Sequence, residues 1–187
     1  MNKEETLTFN SSLQGRSRSD KGKRVAMTTP DPMELTVTIE KYTDQYKEDF
    51  AELNFEWLEK YFYIEDYDRE VLTNPEKYIL ADGGDIFFAV VDGKAVGTVA
   101  LIKRGEGLFE LSKMAVTEGY KGMRIGQKLM YACIHNAAEM GITTLFLDSN
   151  RKLTPAITLY EKVGFKEIRV PEDTPYERCN IRMELKL

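Results

Sequence analysis

The spacing of apolar residues divides the chain into two parts, with the boundary near residue 33. Residues 1–32 carry no apolar period and include the polar stretches SSLQGRSRSDKGKR and TTPDP. We therefore predict a disordered leader or an expression remnant there, with a basic arm for nucleic acid as the alternative. Met33 opens the patterned part, and residues 33–187 have the length of one domain with a substantial core.

The first patterned half indicates a strand, a helix and a three-stranded meander. ELTVTIE alternates apolar and polar positions, which is typical of a strand. A helix capped by Thr43 follows, with apolar residues at three- and four-residue steps: Tyr46, Phe50, Leu53, Trp57 and Tyr61. YIEDYDREVLTNP predicts an acidic loop with a short helix that ends near Pro75. DIFFAVV and AVGTVALIK flank the hairpin turn DGK, and RGEG leads into a third strand, LFELSKMAV.

The second half predicts alternating helices and strands. Apolar residues recur every four positions from Ile125 to Ala137, and Gly141 ends this helix. TTLFLD is a short apolar strand, and TPAITLYEKVGF is a helix with Pro155 in its first turn and Gly164 at its end. FKEIRV and RCNIRMELKL are closing strands. Together these elements predict an α+β domain, in which a mixed sheet is covered by helices.

Composition and charge narrow the function classes. The chain is 42% hydrophobic and 30% charged, as in ordinary globular domains, and no apolar run approaches 18 residues. The N-terminus lacks the apolar segment of a signal peptide, so we expect a cytoplasmic protein. Residues 1–32 have a net charge of +2, and the remainder, with 20 basic and 27 acidic residues, has −7. An acidic domain argues against broad nucleic-acid binding and attracts cationic partners, including amines.

Cysteine and histidine offer little chemistry. Cys133 and Cys179 are far apart in sequence, so we expect free thiols rather than a disulfide framework. His135 is the only histidine and falls in a helical pattern, where a surface or packing role is expected. Neither a zinc site nor a histidine-based catalytic triad is predicted.

The stretch EGYKGMRIGQKLM suggests an anion site. A helix that begins after glycine-bearing backbone leaves several N–H groups free, and its dipole favours negative charge. Lys121 and Arg124 add full charges, while Gly122 and Gly126 allow close approach of a ligand to the backbone. Neither a P-loop nor a dinucleotide fingerprint is present. The alternative interpretation is a helix entry with a solvated cationic turn.

Two segments carry a family resemblance. LSKMAVTEGYKGMRIGQKLM resembles the coenzyme-binding segment of the GNAT superfamily of acyl-CoA N-acyltransferases, whose pattern is [QR]-x-x-G-x-[GA] after a strand that ends in an AV-like pair. TPAITLYEKVGFKEI resembles the family segment A-x-x-L-Y-x-K-x-G-F. Lys121 and Arg124 stand where the family has Gln or Arg and Gly, and Leu153 stands where an Asn often precedes the second segment.

The resemblance implies a fold and a coenzyme. Residues 33–187 would form a bacterial-type GNAT N-acetyltransferase domain, with a central, mostly antiparallel sheet of six to seven strands flanked by helices. It would move an acetyl group directly from acetyl-CoA to a primary amine without a metal. The residues implied to bind the coenzyme are Met114, Ala115, Val116, Lys121, Gly122, Met123, Arg124, Ile125, Gly126, Gln127 and Asn150.

Two residues are implied in catalysis. Tyr160 matches a tyrosine that lies near the coenzyme sulfur as general acid in many family members, and its alternative is a core tyrosine. Glu110 lies where some members, notably the histone-acetylating branch, keep a general base. Its alternatives are a solvent-facing strand residue and proton loss through water. The amides of Met114 to Val116 would face the pantetheine arm, where one could donate to the thioester oxygen.

The acceptor is a small-molecule, peptide or protein amine that the sequence does not identify. FEWLEKYFYIEDYDRE interleaves aromatic and acidic residues, which suits a cationic ligand but also an ordinary amphipathic helix and solvated loop. The alternatives to an enzyme are a catalytically silent acyl-CoA-binding regulatory or sensor module and a protein whose leader contacts nucleic acid. We expect neither a nucleic-acid partner nor a membrane partner, and a homodimer is one option for the assembly.

Overall fold

The computed structural model describes residues 7–8, 36–120, 122–172 and 174–187. The strands are β1 (Leu7–Thr8), β2 (Val37–Lys41), β3 (Asp85–Val91), β4 (Lys94–Gly105), β5 (Leu108–Val116), β6 (Thr144–Ser149), β7 (Lys166–Ile168) and β8 (Ile181–Lys186). The α-helices are α1 (Lys47–Tyr61), α2 (Asp66–Thr73), α3 (Ile125–Glu139) and α4 (Thr154–Val163). Short 3₁₀ turns cover Asp44–Tyr46 and Glu118–Tyr120, and a π-helical turn covers Glu76–Leu80.

The strands form one sheet in the order β1-β2-β3-β4-β5-β6-β8-β7. Every neighbouring pair is antiparallel except β5 and β6, which are parallel. Strands β2 to β8 give the seven-stranded, mostly antiparallel sheet that was predicted. The two-residue strand β1 adds an edge pairing through Leu7 and Thr8, and the predicted disorder of the rest of the leader lies outside the described residues.

The sheet separates two layers of core, as the alternation along β3 shows. Phe87, Ala89 and Val91 belong to the core with α3 and α4, whereas Ile86 and Phe88 belong to the core with α1 and α2. Both faces of β3 are therefore covered, which explains why DIFFAVV is apolar at nearly every position rather than alternating.

Two features of β5 prepare the site. One is a bulge: Ala115 pairs with Thr98 and Ser112 with Ala100, so β5 has one more residue than β4 over this stretch. Within the bulge Lys113 has a φ of 53°, a left-handed conformation that is uncommon for a side-chain-bearing residue. The other feature is that the parallel pairing of β5 with β6 ends at Glu110 and Phe146. Beyond that pair the two strands separate.

Most predicted elements are confirmed, and two details differ. Thr43 precedes a 3₁₀ turn rather than α1 itself and forms no capping hydrogen bond with its side chain. The helix in the acidic loop ends at Thr73, but a π-helical turn that the sequence did not indicate follows Pro75. In the described part of the chain, no helix is long and apolar enough to cross a membrane.

Candidate active site

A cavity of about 360 Å³ opens where β5 and β6 separate. Its walls come from β5 beyond Glu110, from β6 beyond Phe146, from α1 and from α4. The segment before β8, which contains Tyr176, Arg178 and Cys179, closes one end. Parting two paired strands leaves backbone N–H and C=O groups facing the gap, so the cavity offers both apolar surface and main-chain hydrogen-bonding groups.

Five of the predicted site residues line this cavity together: Met114, Ala115, Val116, Asn150 and Tyr160. Asn150 is held in place by its own contacts, because its side-chain amide donates to the Arg178 carbonyl at 2.7 Å and its Oδ1 accepts from the Lys152 amide at 3.0 Å. In the structure Asn150 therefore ties the end of β6 to the segment before β8.

Tyr160 is buried on α4, where its ring packs against Phe165. Burial raises the pKa of its hydroxyl to about 12, and desolvation is the only cause. Among the described residues, no carboxylate or cation therefore contributes to the shift in this pKa. A protonated hydroxyl in the wall of a cavity is suited to donating a hydrogen bond or a proton.

The predicted coenzyme turn lies at the start of α3 and outside the cavity lining. Gly122 and Arg124 both have left-handed backbone, with φ of 85° and 57°. Arg124 is exposed and is the N-cap of α3, but no side chain caps the helix. A Cβ built on Gly122 or Gly126 would meet no atom within 4 Å, so the space beside both is open. An uncapped helix start with open backbone matches the expected anion site.

The side chains of the other predicted residues of this turn that the structure describes have contacts within the protein. Ile125 is buried in the core and Met123 packs against it, so their side chains serve packing. The Gln127 amide donates to the Tyr131 hydroxyl at 3.4 Å. Lys121 lies outside the described residues.

Glu110 does not line the cavity. It lies at the last parallel pair with β6, and its Oε2 accepts hydrogen bonds from Arg104 Nε at 2.8 Å and Nη2 at 2.6 Å. The Glu110 side chain is 3% exposed and that of Arg104 is 30% exposed. The carboxylate is thus neither solvent-facing, as one alternative held, nor free.

A buried cluster of charged residues forms part of the cavity wall. Asp68 is fully buried and accepts from Lys113 Nζ at 2.8 Å and from both terminal nitrogens of Arg178 at 2.7 and 2.9 Å. Arg178 also forms an ion pair with Glu65 at 2.7 Å. Burial alone would raise the pKa of Asp68, but the bonds from Arg178 and Lys113 outweigh it and lower that pKa. Burial lowers the pKa of Lys113 despite the attraction of Asp68.

Tyr176 lies against this cluster. Its ring centroid is 4.9 Å from Lys113 Nζ and 4.9 Å from the Arg178 guanidinium carbon, so it lies within cation–π distance of both cations. The hydroxyl is buried and has no hydrogen-bond partner among the described residues. Burial raises the pKa of this hydroxyl, and an interaction with the Ser112 side chain only partly offsets that rise.

Sequence reasoning missed the roles of Lys113, Tyr176 and Arg178. It grouped Glu65 and Asp68 with nearby aromatics as a surface for a cationic ligand, whereas in the structure both acids are paired with cations of the protein itself. The only sequence signal for Lys113 was a lysine within the predicted strand LFELSKMAV. Nothing in the sequence pattern links that lysine to residues 68 and 178.

The thiols and the histidine match expectation. Cys133 and Cys179 are both free, and burial raises the pKa of each. His135 is exposed and lies 3.5 Å from Glu139 one turn later. In the described ranges, no three His, Cys, Asp or Glu residues come together in a way that could hold a metal ion.

Comparison with known families settles the family. The sequence model described as "Acetyltransferase (GNAT) family" matches residues 44–165, which is more than half of the chain. The chain belongs to the GNAT acetyltransferase family. This match spans the bulged strand, the turn before α3 and α4, and so includes every predicted site residue.

Individual GNAT relatives agree with this assignment. A probable N-acetyltransferase camello from Xenopus tropicalis is 32% identical over 104 residues, which are 54% of this chain and 48% of that protein. The chain thus spans about half the length of that curated relative. A GNAT-family acetyltransferase from Staphylococcus aureus is 28% identical, with a TM-score of 0.73 over 80% of this chain and 98% of that one.

A more distant neighbour shows the same fold. The PaiA N-acetyltransferase from Thermoplasma acidophilum, solved in complex with coenzyme A, has a TM-score of 0.64 at 19% identity, over 81% of this chain and 99% of that one.

Proposed function

We propose that the protein is an N-acetyltransferase that moves an acetyl group from acetyl-CoA to a primary amine by direct transfer. The observation that carries this proposal is the separation of β5 from β6, which opens a cavity between Tyr160 and the buried charges near Asp68. Membership of the GNAT family and the names of its relatives support the reaction class.

The coenzyme would run from the start of α3 into the gap between the strands. Its pyrophosphate would lie against the amides of residues 122–127, where the backbone is open and the helix dipole favours an anion. Lys121 and Arg124 would supply charge from the same turn. The pantetheine arm would follow Met114, Ala115 and Val116 along β5 and pass Asn150 on β6.

The chemistry at the thioester needs a donor to the carbonyl oxygen and a proton for the leaving thiolate. A β5 amide between Met114 and Val116 would donate to the oxygen as negative charge develops. Tyr160 would give its proton to the departing sulfur, because its raised pKa keeps the hydroxyl protonated through the neutral range.

In this proposal a water molecule in the cavity takes the proton from the acceptor ammonium, and the Glu110 carboxylate does not take it directly. The carboxylate of Glu110 is tied to Arg104, and it would need to exchange those bonds before it could take a proton. Glu110 stays the candidate for the far end of a water relay, because its charge is close enough to act on Lys113 and Tyr176, which line the cavity.

Direct transfer is favoured over an acyl-enzyme. Cys179 is the only cysteine in the cavity lining that the structure describes, and desolvation by burial raises its pKa. A thiol that stays protonated at neutral pH is a weak nucleophile. A cytoplasmic location remains part of the proposal.

The test is release of free coenzyme thiol from acetyl-CoA in the presence of a broad panel of amines. We expect amine-dependent release that saturates in both substrates. A rise in melting temperature with acetyl-CoA, but no release with any amine, would instead favour the silent acyl-CoA-binding module. Absence of both effects would overturn the coenzyme assignment itself.

A further inference from the structure

The charged groups in the cavity wall have unequal hydrogen-bonding capacity left. Asp68 is saturated, because Oδ1 accepts from Lys113 and Arg178 while Oδ2 accepts from Arg178 and the Glu65 amide. Asp148, the other carboxylate in the wall, accepts two bonds from Arg182 and one from Thr174. Their side chains are 0% and 3% exposed, so neither carboxylate is available to a ligand.

The cations of the same wall keep unused donors. The ammonium of Lys113 has three N–H groups, and among the described residues it makes one hydrogen bond, to Asp68. Arg178 has five, and its Nε makes no hydrogen bond within the described part of the chain. The Lys113 and Arg178 side chains are 5% and 15% exposed, more than the carboxylates they pair with.

Tyr176 adds a donor that has no hydrogen-bond acceptor among the described residues. The residue is 5% exposed, lines the cavity and has a buried hydroxyl without a hydrogen-bond partner. A buried polar group without a hydrogen-bond partner is destabilising, so natural proteins rarely keep one that no ligand or water satisfies. The Tyr176 ring lies 4.9 Å from each of the two cations, and all three residues line the same cavity.

We infer that the acceptor amine also carries an oxygen that accepts hydrogen bonds, a carboxylate or a carbonyl, which Tyr176, Lys113 and Arg178 bind. This inference rests on the proposed acetyl transfer and names the class of its acceptor. A purely aliphatic amine would leave the Tyr176 hydroxyl and the spare N–H groups unpaired. A second cation on the acceptor would find no free carboxylate in this wall.

The experiment uses sets of three amines that share one side chain. One set is L-valine, L-valinamide and isobutylamine, and another is L-phenylalanine, L-phenylalaninamide and phenethylamine. Rates of acetyl-CoA-dependent thiol release are compared per concentration of unprotonated amine, because a neighbouring carbonyl lowers the pKa of an amine. We expect kcat/KM for the acid or the amide to exceed that of the alkylamine by about tenfold or more.

The ratio of acid to amide then distinguishes the two oxygen groups. A preference for the acid identifies a carboxylate, and equal rates for acid and amide identify a carbonyl. Equal or faster transfer to the alkylamine would overturn the inference while leaving the proposed function intact. Absence of transfer to every amine would overturn the proposed function, and the inference with it.

Tyr176→Phe and Tyr46→Phe form a matched pair of variants. Tyr46 is also buried, but its hydroxyl donates to Glu40 at 2.5 Å, and it is not part of the cavity lining. We expect Tyr176→Phe to reduce the preference for oxygen-bearing amines about three- to tenfold, while the melting temperature stays equal or rises. Tyr46→Phe should lower the melting temperature and leave the preference unchanged.

These variants separate ligand binding from packing. If Tyr176→Phe lowered the melting temperature as Tyr46→Phe does, and slowed all three amines equally, Tyr176 would be a packing residue and the inference would fail. The acetyl-CoA dissociation constant, measured by calorimetry for both variants, should equal that of the unmodified protein.

Discussion

The two ends of the candidate site are built in different ways. The proposed coenzyme turn would use the backbone of one continuous stretch, residues 122–127, and the space beside Gly122 and Gly126 is open. The acceptor end uses side chains that are far apart in sequence, since Asp68 contacts Lys113 across 45 positions and Arg178 across 110. A substitution at the turn should therefore change coenzyme binding, whereas a substitution at the acceptor end should also change the stability of the fold.

Tyr160 lines the cavity, and its substitution should have the largest effect on turnover. Tyr160→Phe keeps the ring that packs on Phe165 and removes the hydroxyl. We expect kcat to fall about 10²- to 10⁴-fold with little change in acetyl-CoA affinity. Steady-state kinetics and calorimetry measure the two quantities, and an unchanged kcat would remove Tyr160 from the chemistry.

Asp68→Asn tests how much the charged cluster at the acceptor end contributes to stability. Removing this charge leaves Lys113 buried without its carboxylate, so unfolding in urea at pH 7 should show a loss of about 3 to 5 kcal/mol. Asp66→Asn, on the exposed side of the same helix, is the control and should change stability by less than about 0.5 kcal/mol. Equal stability of the two variants would show that the charged cluster does not hold the fold.

The contribution of ionised Asp68 to stability should depend on pH. The pKa of Asp68 is lower in the folded protein than its ordinary value of 3.8. Its contribution is therefore fully present above about pH 4 and is lost as pH falls through the lower folded value. The stability difference between the unmodified protein and Asp68→Asn should shrink below pH 4. A difference that stays constant down to pH 2 would contradict this assignment.

Glu110→Gln should have a smaller effect, and mainly on stability. The variant leaves the partly exposed Arg104 without its carboxylate, so we expect a loss of about 3 kcal/mol, near the low end for a buried pair. If water takes the ammonium proton, kcat/KM should change by less than about tenfold at every pH. A loss larger than this at neutral pH that recovers at alkaline pH would restore Glu110 as the base.

Substitutions at Arg124 test the proposed coenzyme turn and should leave the stability of the protein almost unchanged. Arg124→Glu places an anion at the expected pyrophosphate site, so acetyl-CoA affinity should fall more than about tenfold at low salt and less at high salt. Arg124→Gly removes a charge but relieves left-handed backbone, so affinity should stay within about tenfold. Arg169→Glu, an exposed site after β7, is the control for net charge.

The sequence predicted the parts of the site that depend on local spacing better than the parts that the tertiary fold brings together. The helix start at residue 125, the strand from LFELSKMAV and the helix carrying Tyr160 depend on local spacing, and each is confirmed. The left-handed backbone of Lys113 could not be predicted, because it is part of a bulge between β4 and β5 and the position carries no glycine. Tyr176 lies in a polar loop, and only the tertiary fold places its ring beside Lys113 and Arg178.

The π-helical turn after Pro75 was missed for a different reason. Proline at the start and the apolar residues Ile79 and Leu80 fit either a loop or a helix over so few residues. Packing of Ile79 against the sheet then decided the conformation. Short segments of this kind are decided by tertiary contacts rather than by local sequence.

Hydrogen–deuterium exchange with and without acetyl-CoA tests the central claim most directly, because it locates the coenzyme on the backbone. We predict slower exchange at residues 111–116 of β5 and at residues 122–127, with little change in α1 and α2. Protection confined to other segments would place the coenzyme elsewhere. No protection at millimolar acetyl-CoA, in a protein that is folded by circular dichroism, would contradict the account of this site.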